Sequence, residues 1–197
     1  GRLLLATALL VGLGACGGGS GSTTDQPTVD APTSGISTGP VGLEAATSLK
    51  ITVTAVTVKG PPVGELNVAN QAGNGMTGLK VADLRFNIAK LAPGSNGAPA
   101  DWQNYINRVR SGVVQGTQER SGTGNVLGTL VGLGSGRYTY TFATDITDPA
   151  KNTCPAPCTT VEGKALDVRF EPRLTHRVTV QQANSAYPEA TGVFDFV

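Results

Sequence analysis

Five stretches of this chain alternate apolar and polar residues with a period of two, and that rhythm constrains the fold more than any other feature. Leu49, Ile51, Val53 and Ala55 alternate with Lys50, Thr52 and Thr54. Leu84, Phe86 and Ile88 alternate with Arg85 and Asn87, and Tyr138, Tyr140 and Phe142 with Thr139 and Thr141. Leu166, Val168 and Phe170 alternate with Asp167, Arg169 and Glu171, and Val178 and Val180 with Arg177, Thr179 and Gln181. Successive side chains of a strand point to opposite faces, so each stretch offers one face to a core and one to water. Such strands must pack on a second sheet or close into a barrel. Turn chemistry separates them. Gly60-Pro61-Pro62 follows the first, Gly73-Asn74-Gly75 reads as a hairpin, Gly132-Leu133-Gly134-Ser135-Gly136 reads as a β-turn, and Asp148-Pro149 opens a loop. The expectation is an all-β domain over 43–197, a Greek-key sandwich or split β-barrel of about seven strands. One segment departs from it. Trp102, Tyr105, Ile106 and Val109 fall at helical spacing behind Asp101, a possible N-cap. They read either as a short helix or as an irregular segment with Trp102 plugging one end of the core.

The first residues carry a different signal. Leu3 to Leu13 is an apolar run, shorter than the roughly 20 residues that span a bilayer. With Arg2 before it, the run has the form of a signal-peptide core. It ends in Leu13-Gly14-Ala15-Cys16, the lipobox pattern, in which small residues admit the peptidase and the thiol takes a diacylglycerol. The expectation is a signal peptide over 1–15, lipid attachment at Cys16 and a flexible Gly/Ser/Thr/Pro-rich stalk over 16–42. Acyl chains give membrane affinity of about 0.8 kcal/mol per buried methylene. Gly17 stands where an Asp would retain a lipoprotein at the inner membrane, which favours the outer membrane. The chain starts at Gly1-Arg2 without Met and stops in Val193-Phe194-Asp195-Phe196-Val197, and is expected to be a fragment cut at both ends.

Composition narrows the chemistry. The net charge is +1 and charged residues make up 15%, so no basic field attracts nucleic acid. With three Cys and one His, metal sites are sparsely supplied. No C-x-x-C-H occurs, so no c-type haem is expected on this segment. In an exported setting Cys154 and Cys158, within Cys-Pro-Ala-Pro-Cys, are expected to form a structural disulfide rather than a redox switch. His176 reads as a structural hydrogen-bonder in a strand, ahead of a haem ligand or a hydrolase base, since no Ser lies in a nucleophile-elbow context. Asp145 and Asp148 lack a calcium-loop pattern and read as turn carboxylates. The glycine run at 132–136 precedes a strand, not a helix, so it offers no phosphate loop. No catalytic residues are expected.

Four stretches resemble the N-terminal domain of the OmcA/MtrC family, the outer-surface decahaem c-type cytochromes of metal-reducing bacteria. They are Gly78-Leu79-Lys80-Val81-Ala82-Asp83-Leu84-Arg85-Phe86-Asn87-Ile88-Ala89-Lys90-Leu91 with Pro93-Gly94, Trp102-Gln103-Asn104-Tyr105-Ile106-Asn107, Gly136-Arg137-Tyr138-Thr139-Tyr140-Thr141-Phe142-Ala143-Thr144-Asp145, and Leu174-Thr175-His176-Arg177-Val178. Their order and the ending Val193–Val197 also look like that family, over about residues 48–197. The resemblance implies a lipid-anchored protein at the cell surface, with haem c in downstream domains and a porin–cytochrome complex as partner. Extracellular metal oxides or flavins would accept the electrons. The segment itself would be a haem-free scaffold against the first haem domain. The alternative is a free-standing surface binding or adhesion module, for which Trp102 and Tyr105 are the only aromatic candidates; both are expected to be buried.

Overall fold

A computed structural model of the chain describes residues 41–94 and 96–197. The signal peptide, Cys16 and all but the end of the stalk lie outside the described residues. The strands in chain order are β1 (Val41–Gly42), β2 (Leu49–Thr57), β3 (Val63–Asn70), β4 (Met76–Thr77), β5 (Leu84–Ala92), β6 (Asp101–Asn104) and β7 (Asn107–Arg110). They continue as β8 (Val113–Gly116), β9 (Glu119–Arg120), β10 (Thr129–Gly134), β11 (Arg137–Thr141), β12 (His176–Gln182) and β13 (Thr191–Phe196). Two single-turn 3-10 segments, Leu43–Ala45 and Val81–Asp83, are the only helical pieces among the described residues.

The strands form an all-β open sandwich, as the alternation requires. One antiparallel sheet runs β10-β11-β3-β2; the other runs β13-β12-β5-β6, with β9 pairing the remaining length of β5. Seven strands have five or more residues: β2, β3, β5, β10, β11, β12 and β13. Ile51, Val53, Leu66, Val68, Tyr138 and Tyr140 face Leu84, Phe86, Ile88, Val178 and Val180 across the core. Each such side chain contributes about 1.5–3 kcal/mol by leaving water. Phe86 of β5 stacks flat on Tyr140 of β11, ring centroids 3.4 Å apart, which joins the two sheets. The sandwich narrows where β13 meets β2: a Cβ on Gly192 would lie 2.9 Å from the Ile51 carbonyl oxygen.

Several local expectations change. Ala55 does not continue the inward face of β2. The register shifts between Val53 and Ala55, so Ala55 sits opposite Glu65 while Val56 sits opposite Gly64 and packs on the core. At Gly73-Asn74-Gly75 the chain does reverse, closed by the Asn70 amide on the Asn74 carbonyl at 3.0 Å. The returning strand β4 is only two residues long and pairs in parallel with β1. Gly132 and Gly134 belong to β10 itself, and the turn is confined to Ser135-Gly136, with φ of +52° and +76°.

The helical reading of 102–109 fails. Trp102 lies in β6 and Val109 in β7, with ladder hydrogen bonds to β5 and β8. The 3.6-period pattern arises because two short strands are broken at Tyr105-Ile106, which turns both of those side chains inward. Leu166–Glu171 forms no strand either. Its alternation survives, with Val168 buried, but its backbone is held by side chains: Lys90 Nζ donates to the Arg169 carbonyl at 2.8 Å, and the Asn152 amide donates to the Val168 carbonyl.

Candidate functional site

Pairing of β12 with both β5 and β13 sets His176 opposite Lys90 on one side and Phe196 on the other. The three residues share a face with Val178 and Ile88, so all are carried inward by strand parity. His176 and Lys90 are each 1% exposed. The imidazole lies among Tyr105, Phe170 and Phe196, at centroid distances of 5.8, 5.1 and 5.3 Å. Its Nε2 is 2.9 Å from the Tyr105 hydroxyl. In the neutral ring one nitrogen donates and the other accepts, so this contact joins a phenol and an imidazole without a net charge. Burial holds the His176 pKa below its ordinary value, and burial likewise raises that of the Tyr105 phenol. The pair is a neutral donor–acceptor couple. With Nε2 on the Tyr105 hydroxyl and the ring 1% exposed, His176 serves as a hydrogen-bonder inside the sandwich.

Lys90 brings a cation into this apolar end. Its ammonium donates to the Arg169 carbonyl at 2.8 Å and pairs with Glu171, with Asp167 at 4.0 Å. Asp167 is held down at about 2, chiefly by the hydrogen bonds it accepts from the Arg169 guanidinium. The segment 167–171 thus closes this end of the sheet through charge and backbone acceptors rather than by a ladder. Outside it, Val58, Phe170, Pro172, Phe196 and Val197 line a groove of about 190 Å³ with His176 at its floor. Val193 and Val197 are exposed beside the last ladder pairs.

The opposite part of the core is tied by Glu119, which is fully buried on the two-residue strand β9. Its carboxylate accepts from the Tyr140 hydroxyl at 2.6 Å and from the amides of Ala143 and Thr144 at 2.9 and 2.7 Å. Nothing in the sequence pattern pointed to Glu119, because a two-residue strand has no period. Lys90 was in principle legible: it continues the inward parity Leu84-Phe86-Ile88.

The remaining candidates are structural in their geometry. Asp145 accepts from the Thr147 amide and hydroxyl at 3.0 and 2.7 Å, and Lys151 lies 3.3 Å from Asp148. Among the described residues, no three His, Cys, Asp or Glu gather as a metal site. Cys154 and Cys158 are joined as a disulfide with Cα atoms 5.4 Å apart. Tyr105 is 2% exposed, but Trp102 is only half-buried. Instead of plugging the core, Trp102 carries the Arg177 guanidinium 4.3 Å above its ring, a cation–π contact on the outer face of the sheet.

No family model and no curated protein matches the chain. Solved structures do. The outer membrane decahaem cytochrome OmcA is similar with a TM-score of 0.60 and 24% identity over 79% of this chain and 24% of that one. MtrC from Shewanella baltica OS185 aligns with a TM-score of 0.48 and 20% identity, over 76% of this chain and 22% of that one. The chain therefore spans about a quarter of the length of these cytochromes. The described domain has the fold of a portion of the outer membrane decahaem cytochrome OmcA, and this likeness supports the OmcA/MtrC resemblance carried by the sequence motifs.

Proposed function

We propose that this chain is the haem-free, N-terminal scaffold domain of a cell-surface multihaem cytochrome that passes electrons to extracellular acceptors. The observation that carries the reading is the likeness to OmcA. It takes in 79% of this chain but only 24% of a decahaem protein, so in that protein the fold is one module beside others. The sequence motifs and the absence of C-x-x-C-H from the chain support the same reading. In it, Cys16 carries lipid on the outer membrane and the stalk over 16–42 lifts the sandwich. The apolar end around Phe196 and Val197 packs against a downstream haem domain, within a porin–cytochrome complex that serves metal oxides or flavins. The scaffold acts mechanically: β13 is hydrogen-bonded to β12 over its whole length, so its direction is set by the sandwich.

The test is the complete gene. Several C-x-x-C-H codons beyond Val197, and a full-length product that stains for covalent haem, are expected. A stop codon there, or a full-length product without haem, overturns the reading. Acylation at Cys16 is tested separately by labelling with a fatty-acid analogue, which Cys16→Ala abolishes.

A further inference from the structure

The edges of the two sheets are not alike. β2 is covered by β13, whose Gly192 lies against the Ile51 carbonyl. β13 itself carries Asp195, held by the Arg177 guanidinium at 2.6 and 2.7 Å, and β6 carries Asp101, paired with Lys164 at 3.3 Å. Charge on an edge strand discourages pairing with another chain. β10 has neither protection. It pairs with β11 on one side and, among the described residues, with no strand on the other. No charged residue stands between Arg120 and Arg137. Val126, Val131 and Leu133 are exposed by 49%, 49% and 51%, so this edge is apolar as well as open. Its bulge falls between Gly132 and Gly134, past the regular run 129–132.

The direction of its backbone groups follows from the neighbouring ladder. The Val68 amide donates to the Gly136 carbonyl at 2.8 Å and the Phe142 amide to the Pro62 carbonyl at 2.9 Å. Bonded pairs alternate along an antiparallel ladder. Tyr138 and Tyr140 therefore bond β3, while Thr139 and Thr141 turn to Val131 and Thr129 of β10. The residues between them on β10, Leu130 and Gly132, point their N–H and C=O away from the sheet. The Gly128 amide is already taken by the Tyr140 hydroxyl at 2.7 Å, which fixes where the free edge begins. Side-chain parity is set by the same register. Leu130 lies opposite Tyr140 on the core face and packs on the core, and Val131 lies on the outer face.

We propose that β10 pairs antiparallel with β10 of a second copy of this chain, about a two-fold axis at Val131, so that the two four-stranded sheets become one continuous sheet. In this register Leu130 faces Gly132 of the second copy, Gly132 faces Leu130 of the second copy, and each pair exchanges both N–H···O=C bonds. Val131 faces Val131 in the intervening non-hydrogen-bonded pair, the closer kind, with Cα atoms about 4.5 Å apart. The strand is complementary to itself in shape. A Cβ on Gly132 would already lie 3.5 Å from the Tyr138 ring, and the bare glycine leaves that space to the Leu130 side chain arriving from the other copy. It is complementary in charge too, because a neutral edge meets a neutral edge and nothing is repelled. The pairing does not depend on the haem reading above.

The test is the association of the full chain, followed by sedimentation equilibrium. A concentration-dependent dimer is expected, weak because the paired surface is small. Val131→Lys sets two like charges opposite each other on the axis and is expected to weaken association at least about tenfold. That side chain is half exposed, so the substitution spares the fold of the single copy. Val161→Lys, at an exposed site on the loop between β11 and β12, leaves association unchanged. Val131→Cys, combined with Cys16→Ser to remove the thiol of Cys16, is expected to give a covalent dimer on mild oxidation, joined between the two 131 positions, since a non-hydrogen-bonded pair lies within disulfide reach. A chain that stays monomeric at about 200 μM overturns the proposal and leaves the edge to a strand of another protein. A dimer indifferent to Val131→Lys, such as one held by the apolar run 3–13, overturns it as well, and so does the absence of a link between the 131 positions.

Discussion

The Tyr105 hydroxyl and His176 Nε2 face each other at 2.9 Å in the interior of the sandwich, and this couple joins the irregular segment after β6 to the first residue of β12. A phenol and a neutral imidazole satisfy one another there without introducing charge. Tyr105→Phe removes the hydroxyl and strands Nε2. The expected loss is about 1–3 kcal/mol in urea unfolding, the usual penalty of an unpaired buried polar group.

The same couple predicts a pH dependence. Because burial lowers the folded-state pKa of His176, the unfolded chain takes up a proton before the folded one does. The contribution of neutral His176 is complete above the unfolded value of about 6.5. It shrinks as pH falls below that and levels off once the folded value is passed. His176→Gln should flatten the stability profile in that window. It should leave a second, more acid loss, which belongs to Asp167 and sets in below the ordinary carboxylate range towards about 2. A profile between pH 8 and 5 that is identical in the two proteins contradicts the assignment.

Glu119 should be the least replaceable residue of the domain. Three donors converge on a carboxylate with no exposed surface. Glu119→Ala leaves all three unpaired and is expected to cost about 3 kcal/mol or more. Tyr140→Phe, which deletes one donor and keeps the stacking on Phe86, should cost about 1–2 kcal/mol. Equilibrium unfolding of both variants gives the ordering.

Lys90 and Glu171 should respond asymmetrically. Lys90→Met replaces a buried ammonium with an apolar side chain of similar length, and its former partner Glu171 is 46% exposed and can turn to water. The change is expected to be near neutral, within about 1 kcal/mol. Glu171→Ala instead leaves the ammonium inside with only the Arg169 carbonyl and the more distant Asp167, and should cost about 1–3 kcal/mol. Equal effects from the two substitutions contradict the geometry.

Gly192 is required by proximity rather than by backbone conformation. Its missing side chain allows β13 to approach the Ile51 carbonyl of β2, where a Cβ would sit at 2.9 Å. Gly192→Ala should force the two strands apart at a cost of about 1–3 kcal/mol, read as a lowered midpoint in thermal unfolding.

The parts legible in the sequence are those in which local period and tertiary environment agree. β5, β11 and β12 alternate cleanly because each lies inside a sheet with one buried face. Trp102–Val109 misled because two short strands with a break between them imitate a helical spacing. Leu166–Glu171 misled in the opposite sense, since its side chains alternate but Lys90 and Asn152 occupy the acceptors that a neighbouring strand would use. The hydrogen bond of His176 was foreseeable from its place in a strand, yet its partner Tyr105 lies far off in sequence and no pattern joins them. Glu119 depends on the register between β9 and β5, which only the assembled sheet reveals.

The position of β5 has a temporal consequence. This strand lies between β6, its near neighbour in sequence, and β12, which is reached only after the long stretch 142–175. β3 likewise waits for β11. The layer β10-β11-β3-β2 has all its strands by residue 141, whereas the layer around β5 lacks β12 and β13 until residues 176–196 are made. Pairings of such long sequence separation are slow to form and open to aggregation in the meantime. Closure of the second layer is therefore later than that of the first, and it waits on β12 and β13.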